Sequence, residues 1–198
     1  MIIGICGLIG SGKGTVADVL VEQGFTKISF ADKLKDGVAA VYGWDRAMLE
    51  GDTPESREWR EAQDDFWTNE TGRIITPRIV LQEFGTDCMR NGFYDGVWVS
   101  AVKQILINNP NIDYVIPDVR FENEVDMIRQ VGGQVWEVSR GNDPEWMDAY
   151  KKTGTEPVNI HPSEWRWTRS KKDHKIPNDG SMQDLTRLVL SLHASIQS

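Results

Sequence analysis

Apolar positions along the chain keep two rhythms, and their alternation predicts the elements. Met1–Cys6 is an almost unbroken apolar run, the form a strand takes when both of its faces are buried. Val16, Ala17, Val19 and Leu20 then recur at helical spacing until Gly24 closes the segment. Thr26–Phe30 reads as a second strand and Ala31–Tyr42 as a helix, whereas Trp44–Thr76 shows no alternation and predicts short helices and loops. Pro77 opens another helical pattern through Ile79, Val80, Phe84 and Cys88, followed by one through Trp98, Val102, Ile105 and Leu106. Tyr114–Pro117 is a third strand, Phe121, Val125, Ile128 and Val131 share a helix face, and Gln134–Val138 is a fourth strand. Gly141–Asp173 has no stable period and reads as a mobile excursion. Lys175–Asn178 suggests a last short strand, and Met182, Leu185, Leu188, Val189, Leu192 and Ile196 a final amphipathic helix.

Strands separated by helices imply right-handed crossovers, hence a three-layer α/β fold with a mostly parallel five-stranded sheet and ligands at the carboxyl ends of its strands. A chain of 198 residues with 39% hydrophobic content buries one sizeable core, so a single domain over 1–198 is expected. Within it, about 44–110 forms a helical insertion and about 141–173 a lid-like excursion. The net charge of −8 speaks against general nucleic-acid binding. Two cysteines, Cys6 and Cys88, give no disulfide framework and suit a reducing cytoplasm. The first apolar run lacks a basic lead-in and a cleavage region, which excludes a signal peptide or membrane span as its reading.

The first strand runs directly into Gly7-Leu8-Ile9-Gly10-Ser11-Gly12-Lys13-Gly14-Thr15, which ends inside the first helix. Strand, glycine-rich turn and helix in that order are the context of a phosphate-binding loop, and they argue against a turn without a ligand. Gly7, Gly10 and Gly12 let successive N–H groups aim into one concavity, and the helix start adds positive partial charge. Lys13 then reaches the β- and γ-phosphates as a point charge. Gly14 stands where a Ser or Thr usually holds Mg²⁺. The expected metal is therefore bound chiefly by phosphates and water, with Thr15 and Asp118 as candidate protein contacts. The loop resembles that of adenylate kinase and other nucleoside monophosphate kinases, which implies phosphoryl transfer to a small acceptor.

Phosphoryl transfer asks for cations around a migrating group more than for covalent chemistry. Asp118 and Arg120 follow the third strand, with Asn123 and Glu124 one turn on. Asp118 is placed to orient Mg²⁺ or its waters, and Arg120 to meet an acceptor phosphate or transition-state charge. A helix cap and an Arg120–Glu124 pair are the structural alternative. Asp32, Lys33 and Lys35 lie at the end of the second strand, where an acceptor phosphate can approach, though early-turn lysines equally make a solvated face. Arg78 and Gln82 share a helix face, Gln82 being able to bond a base edge, and Arg90 follows. Arg140, Arg166 and Arg169 are lid candidates for closing over phosphates. His161-Pro-Ser-Glu164, also in the lid, reads equally as a helix cap. The three histidines lack metal-ligand spacing, and Trp44, Trp59, Trp67 and Trp98 read as packing.

Gly-Lys-Gly-Thr15, Phe30-Ala-Asp-Lys-Leu-Lys35, Thr76-Pro-Arg-x-x-Leu-Gln-x-x-Gly-Thr86 with Arg90 and Trp98, Asp118-Val-Arg-Phe-x-Asn-Glu124, Gly132-Gly-x-Val135 and His161-Pro-Ser-Glu164 follow one another in order. Over nearly its whole length the chain thereby resembles phage-type deoxynucleoside monophosphate kinases. The resemblance implies a P-loop kinase fold with a helical acceptor-binding insertion at about 44–110 and a lid at about 141–173, ATP as phosphate donor, small-molecule nucleotides as partners, and phosphate binding by Arg78, Arg90 and Arg120. Many relatives carry an acidic or hydroxyl residue where Gly14 stands, so that side chain has no counterpart here.

The resulting expectation is an ATP:deoxynucleoside monophosphate phosphotransferase with Lys13, Arg120 and Asp118 as its catalytic residues and Mg²⁺ as its metal. It is expected in the cytoplasm (a host's, if the gene is a phage's), away from membranes, with homodimerisation left open. Two rivals fit the loop: a kinase for another small phosphorylated acceptor such as dephospho-coenzyme A, and a nucleotide-dependent switch or binding module. The lack of an Asn-Lys-x-Asp sequence speaks against a GTPase switch.

Overall fold

The strands are Ile2–Cys6 (β1), Thr26–Lys27 (β2), Tyr114–Ile116 (β3), Gln134–Ser139 (β4) and His174–Pro177 (β5). The helices, in chain order, are Lys13–Glu22 (α1), Asp32–Tyr42 (α2), Pro54–Glu61 (α3), Asp65–Thr71 (α4), Pro77–Gln82 (α5), Val97–Asn108 (α6), Glu122–Gln130 (α7), Glu145–Thr153 (α8) and Met182–Gln197 (α9). A π-helical stretch, Glu83–Asn91, extends α5. This computed structural model describes residues 1–197, and the chain divides into two compact units, Met1–Ser29 with Val102–Ser198, and Phe30–Ala101.

In the first unit all strand pairs are parallel and the order is β2-β3-β1-β4-β5, so β1 lies at the centre. Its period-two alternation explains why the run is apolar throughout. Ile3 and Ile5, fully buried, join Val16, Ala17 and Leu20 of α1 with Leu185 and Val189 of α9. Burial of each such aliphatic side chain is worth about 1.5–3 kcal/mol. On the other face Gly4 meets α7, where an added Cβ would come within 2.4 Å of Ile128 Cδ1. Both faces of β1 are thus covered by helices, as the three-layer α/β fold requires.

Two expectations need correction. The second strand stops at Lys27, because Ser29 turns its hydroxyl onto Asp118 at 2.6 Å and the chain enters α2. The 141–173 segment is no loose excursion: Met147, Tyr150, Trp165 and Trp167 are all buried in it, and Trp165 Nε1 donates to Ile160 O at 3.0 Å. Met147 and Tyr150 form the buried face of α8, and Tyr150 packs edge to face on Trp165, which sits between two 3₁₀ turns.

The second unit explains its short helices by caps. Thr53 and Ser56 form a capping box on α3, Asp64 accepts Trp67 N–H at 3.0 Å to start α4, and Thr76 accepts Ile79 N–H at 3.2 Å to start α5 behind Pro77. Val38, Leu49, Ile75, Val80 and Leu81 form the core, with Tyr42, Trp44, Trp59 and Trp67 packed against it. Trp44 stacks on Tyr42 at 4.6 Å between centroids and donates its indole N–H to Asp64 at 2.8 Å. Trp98, also buried, donates to Gly85 O at 3.0 Å.

A chain of ion pairs ties α2 to the turn after it. Arg46 bonds Asp36 at 2.8 Å, pairs with Glu50 and reaches Asp32 at 3.5 Å; Lys35 also pairs with Glu50, and Lys33 with Asp36 at 3.1 Å. Burial works to raise the Glu50 carboxyl, but hydrogen bonds from Lys35 and Arg46 outweigh it and hold its pKa below the ordinary glutamate value. A carboxyl with a depressed folded pKa contributes stability that is complete above its unfolded pKa, about 4.3, and is lost as pH falls through the folded pKa. Glu50→Gln should therefore lower stability at pH 7 and flatten the loss of stability below about pH 5 in urea titrations read by tryptophan fluorescence. An unchanged slope would contradict the network's role.

Candidate functional site

Where β1 ends, the backbone must turn sharply to start α1, and three glycines with positive φ make the turn: Gly7 at 150°, Gly10 at 76° and Gly12 at 104°. At two of them space is as strict as conformation. A Cβ on Gly7 would come within 2.3 Å of Val138 O in β4, and one on Gly12 within 2.3 Å of Asn178 Nδ2. Asn178, just past β5, donates its amide to Ser11 O at 2.8 Å and its N–H to Ser139 O at 2.8 Å, clamping the loop to the sheet edge. No side chain caps α1 and no acidic residue occupies its first turn, which keeps its leading N–H groups suited to an anion.

Lys13 folds back over this turn and donates to Gly7 O and Leu8 O, both at 2.9 Å. Beneath it Ser11, 2% exposed, carries a hydroxyl without a hydrogen-bond partner. A lysine, an unsatisfied buried hydroxyl and an uncapped helix start fit a phosphate chain. Burial, and after it the charge of Arg120, lower the Lys13 pKa below the ordinary lysine value, while the Glu164 carboxylate opposes them. The Arg120 guanidinium donates to Glu164 at 3.1 Å and to Ser163 Oγ at 3.3 Å. His161 Nδ1 in turn lies 2.8 Å from Ser163 Oγ. The structural alternative for Arg120, a side-chain pair with Glu124, is not what forms: Glu124 takes the backbone N–H of Arg120 and Phe121 instead.

Behind the loop, burial pushes the Cys6 thiol up to about 12, so it is an inert core thiol. Lys172 lies over the Trp167 ring at 5.1 Å, and burial lowers its pKa against the charge of Glu137. Of the three arginines expected to close over phosphates, Arg140 is exposed, Arg166 lies 5.6 Å from the Trp165 ring and Arg169 5.7 Å from that of Tyr150. Among the described residues no cluster of three or more His, Cys, Asp or Glu is disposed to hold a metal. The half-buried Thr15 hydroxyl and the Asp118 carboxylate suit a Mg²⁺ ion held mainly by phosphate oxygens and water. Among the same residues no helix is long and apolar enough to cross a membrane.

In the second unit, Arg78 pairs with Glu61 at 3.2 Å, Gln82 is exposed at the end of α5, and Arg90 is half-buried in the π-helical stretch. Asp32, Lys33 and Lys35 all belong to the ion-pair chain on α2. Three features escaped the sequence reading: the Asn178 clamp, the Glu164 carboxylate on Arg120, and Arg60, whose buried Nε has no partner and whose pKa burial and then Arg78 depress. Only Asn178 left a signal, its place directly after a strand at the carboxyl edge.

The loop makes a contrast that can be tested. Gly12→Ala should weaken binding of a non-hydrolysable ATP analogue by at least about tenfold, roughly 1.4 kcal/mol, in isothermal titration. Gly14, with no atom within 4 Å of an added Cβ and no positive φ, should accept alanine with less than about threefold change. Equal losses in both variants would refute the clamp geometry.

Comparison with known proteins agrees with this site from an independent stretch of chain. Residues 50–189 match the family model for deoxynucleotide monophosphate kinase, a span that leaves the glycine loop out. A protein of Acanthamoeba polyphaga mimivirus that carries a provisional deoxynucleotide monophosphate kinase name is 33% identical over 153 residues, covering 71% of this chain and 74% of its own. Among solved structures, TT1252 from Thermus thermophilus aligns over 98% of this chain and 97% of that one, at 20% identity and a TM-score of 0.50. A dephospho-CoA kinase from Campylobacter jejuni aligns over 98% and 96%, at 14% identity and a TM-score of 0.46. At 20% identity the likeness to TT1252 concerns the fold alone. Family match and loop, lying in different parts of the sequence, converge, and the chain belongs to the deoxynucleotide monophosphate kinase family, a family of nucleotide kinases.

Proposed function

We propose that the chain transfers the γ-phosphoryl group of ATP to a deoxynucleoside 5′-monophosphate, producing the diphosphate for DNA precursor synthesis. The observation that carries this reading is the pairing of two cations at the head of α1: Lys13 on the loop, and Arg120 near enough for its charge to be felt there. An anionic oxygen of the acceptor phosphate attacks the γ-phosphorus, and the bond to the β,γ-bridging oxygen breaks, leaving ADP. That oxygen needs no general base, since it is ionised at neutral pH, so alignment and charge neutralisation supply the rate.

Lys13 leaves the Gly7 and Leu8 carbonyls for the β- and γ-phosphates, and the loop amides from Gly7 to Thr15 hold the rest of the chain of phosphates. Arg120 exchanges Glu164 for the equatorial oxygens of the phosphoryl in flight. Asp118 and Thr15 would hold a Mg²⁺ ion through water, and the ion would supply charge neutralisation to the donor phosphates. Arg78 and Arg90 take the acceptor phosphate and Gln82 a base edge, while Asp32, Lys33 and Lys35 hold the frame of α2. Arg140, Arg166 and Arg169 belong to a lid that excludes water. The whole is one catalytic domain with its insertion and lid, working in a reducing cytoplasm.

A panel of deoxy- and ribonucleoside monophosphates with ATP and Mg²⁺, read by diphosphate product, decides the acceptor; preference for dephospho-coenzyme A, or ATP hydrolysis driven only by a protein partner, would replace this reading. Lys13→Ala should lower kcat by about 10²–10³-fold and leave the unfolding free energy in urea within about 0.5 kcal/mol of the parent. Full turnover in that variant would sink the mechanism.

A further inference from the structure

Glu124 is a carboxylate that is 2% exposed, in the first turn of α7. A buried carboxylate is costly unless strong donors meet it. One of its oxygens, Oε2, accepts the N–H of Phe121 at 3.0 Å and that of Arg120 at 2.6 Å. The bond to Phe121 is what a capping box at the start of α7 calls for. The bond to Arg120 is shorter, reaches one residue beyond the N-cap Phe121, and serves no cap. Between β3 and α7 the chain has no ladder or helix of its own to hold it. Val119 anchors one side of Arg120, buried and donating to Ile5 O at 3.2 Å; Glu124 anchors the other. With both ends of its peptide fixed, the half-exposed Arg120 side chain leaves toward Ser163 and Glu164.

We infer that Glu124 is a positioning residue of the transfer site: its carboxylate fixes the backbone of Arg120, and it serves the reaction through that arginine. This rests on the role given to Arg120 above. A guanidinium displaced by about 1 Å from a migrating phosphoryl forfeits on the order of 10²-fold in rate. A cap that served α7 alone would lower stability without touching kcat.

The test is a double-mutant cycle of Glu124→Ala and Arg120→Ala, with steady-state kinetics on ATP and the best deoxynucleoside monophosphate and urea unfolding of each variant. Glu124→Ala should lower kcat about 10- to 100-fold with KM for ATP within about threefold of the parent. In the Arg120→Ala background the same change should cost less than about twofold. Glu124→Gln, which can present one neutral oxygen to both N–H groups, should recover most of kcat. If Glu124→Ala does not fold, Glu124→Asp, a methylene too short to reach both donors, takes its place in the cycle. An impaired Arg120→Ala enzyme in which loss of Glu124 still costs its full factor overturns this inference alone. Full activity in Arg120→Ala removes the arginine's proposed role and the inference with it.

Discussion

One ammonium group organises the first unit: Lys13 closes the glycine loop by donating to the carbonyls of Gly7 and Leu8, and the surrounding structure keeps that closure possible. A lysine can span its own loop only if the backbone turns back on itself within a few residues, which is why the turn uses glycines with positive φ. The turn must also be held still. β1, buried on both faces, fixes where it begins, β4 lies against Gly7, and Asn178 ties Ser11 to the edge of β5. Each restraint acts on the backbone, so the polar groups around the lysine are positioned before any phosphate arrives.

Charge balance is the second constraint. The chain is acidic as a whole, with a net charge of −8, yet Lys13 and Arg120 stand close enough for one to depress the other's proton affinity. Two cations gathered without an anion repel each other, and here Glu164 supplies the missing negative charge. The same pairing offers a phosphate a site that is already cationic and, at Lys13, already partly desolvated, in exchange for displacing a single carboxylate. Asp32, Lys33 and Lys35, which the sequence puts where an acceptor phosphate can approach, are matched with Arg46, Asp36 and Glu50 along α2.

The parallel sheet and its central strand were legible because burial on both faces leaves an apolar run, and the loop because its glycines and lysine are contiguous. What was hidden depends on long-range geometry. Asn178 lies far along the chain from Ser11, and Glu164 comes to Arg120 from a segment without periodicity. The 141–173 segment misled for the same reason: its buried Trp165 and Trp167 follow 3₁₀ turns, Pro162–Glu164 and Arg166–Arg169, whose spacing matches neither a helix nor a strand pattern. The second strand overran because Ile28–Phe30 is apolar enough to continue, while the Ser29 hydroxyl bond to Asp118 ends it.

The most direct probe of this account is the proton affinity of Lys13 itself, followed by ¹⁵N NMR of labelled lysine, with the resonance assigned by its loss in Lys13→Arg. In the free protein burial and Arg120 should hold the Lys13 pKa below the ordinary lysine value of about 10.4. On binding a non-hydrolysable ATP analogue, the new phosphate charge should drive it upward as the ammonium leaves the Gly7 and Leu8 carbonyls. A Lys13 pKa that does not move when the nucleotide binds would contradict the claim that this lysine is the phosphate's partner.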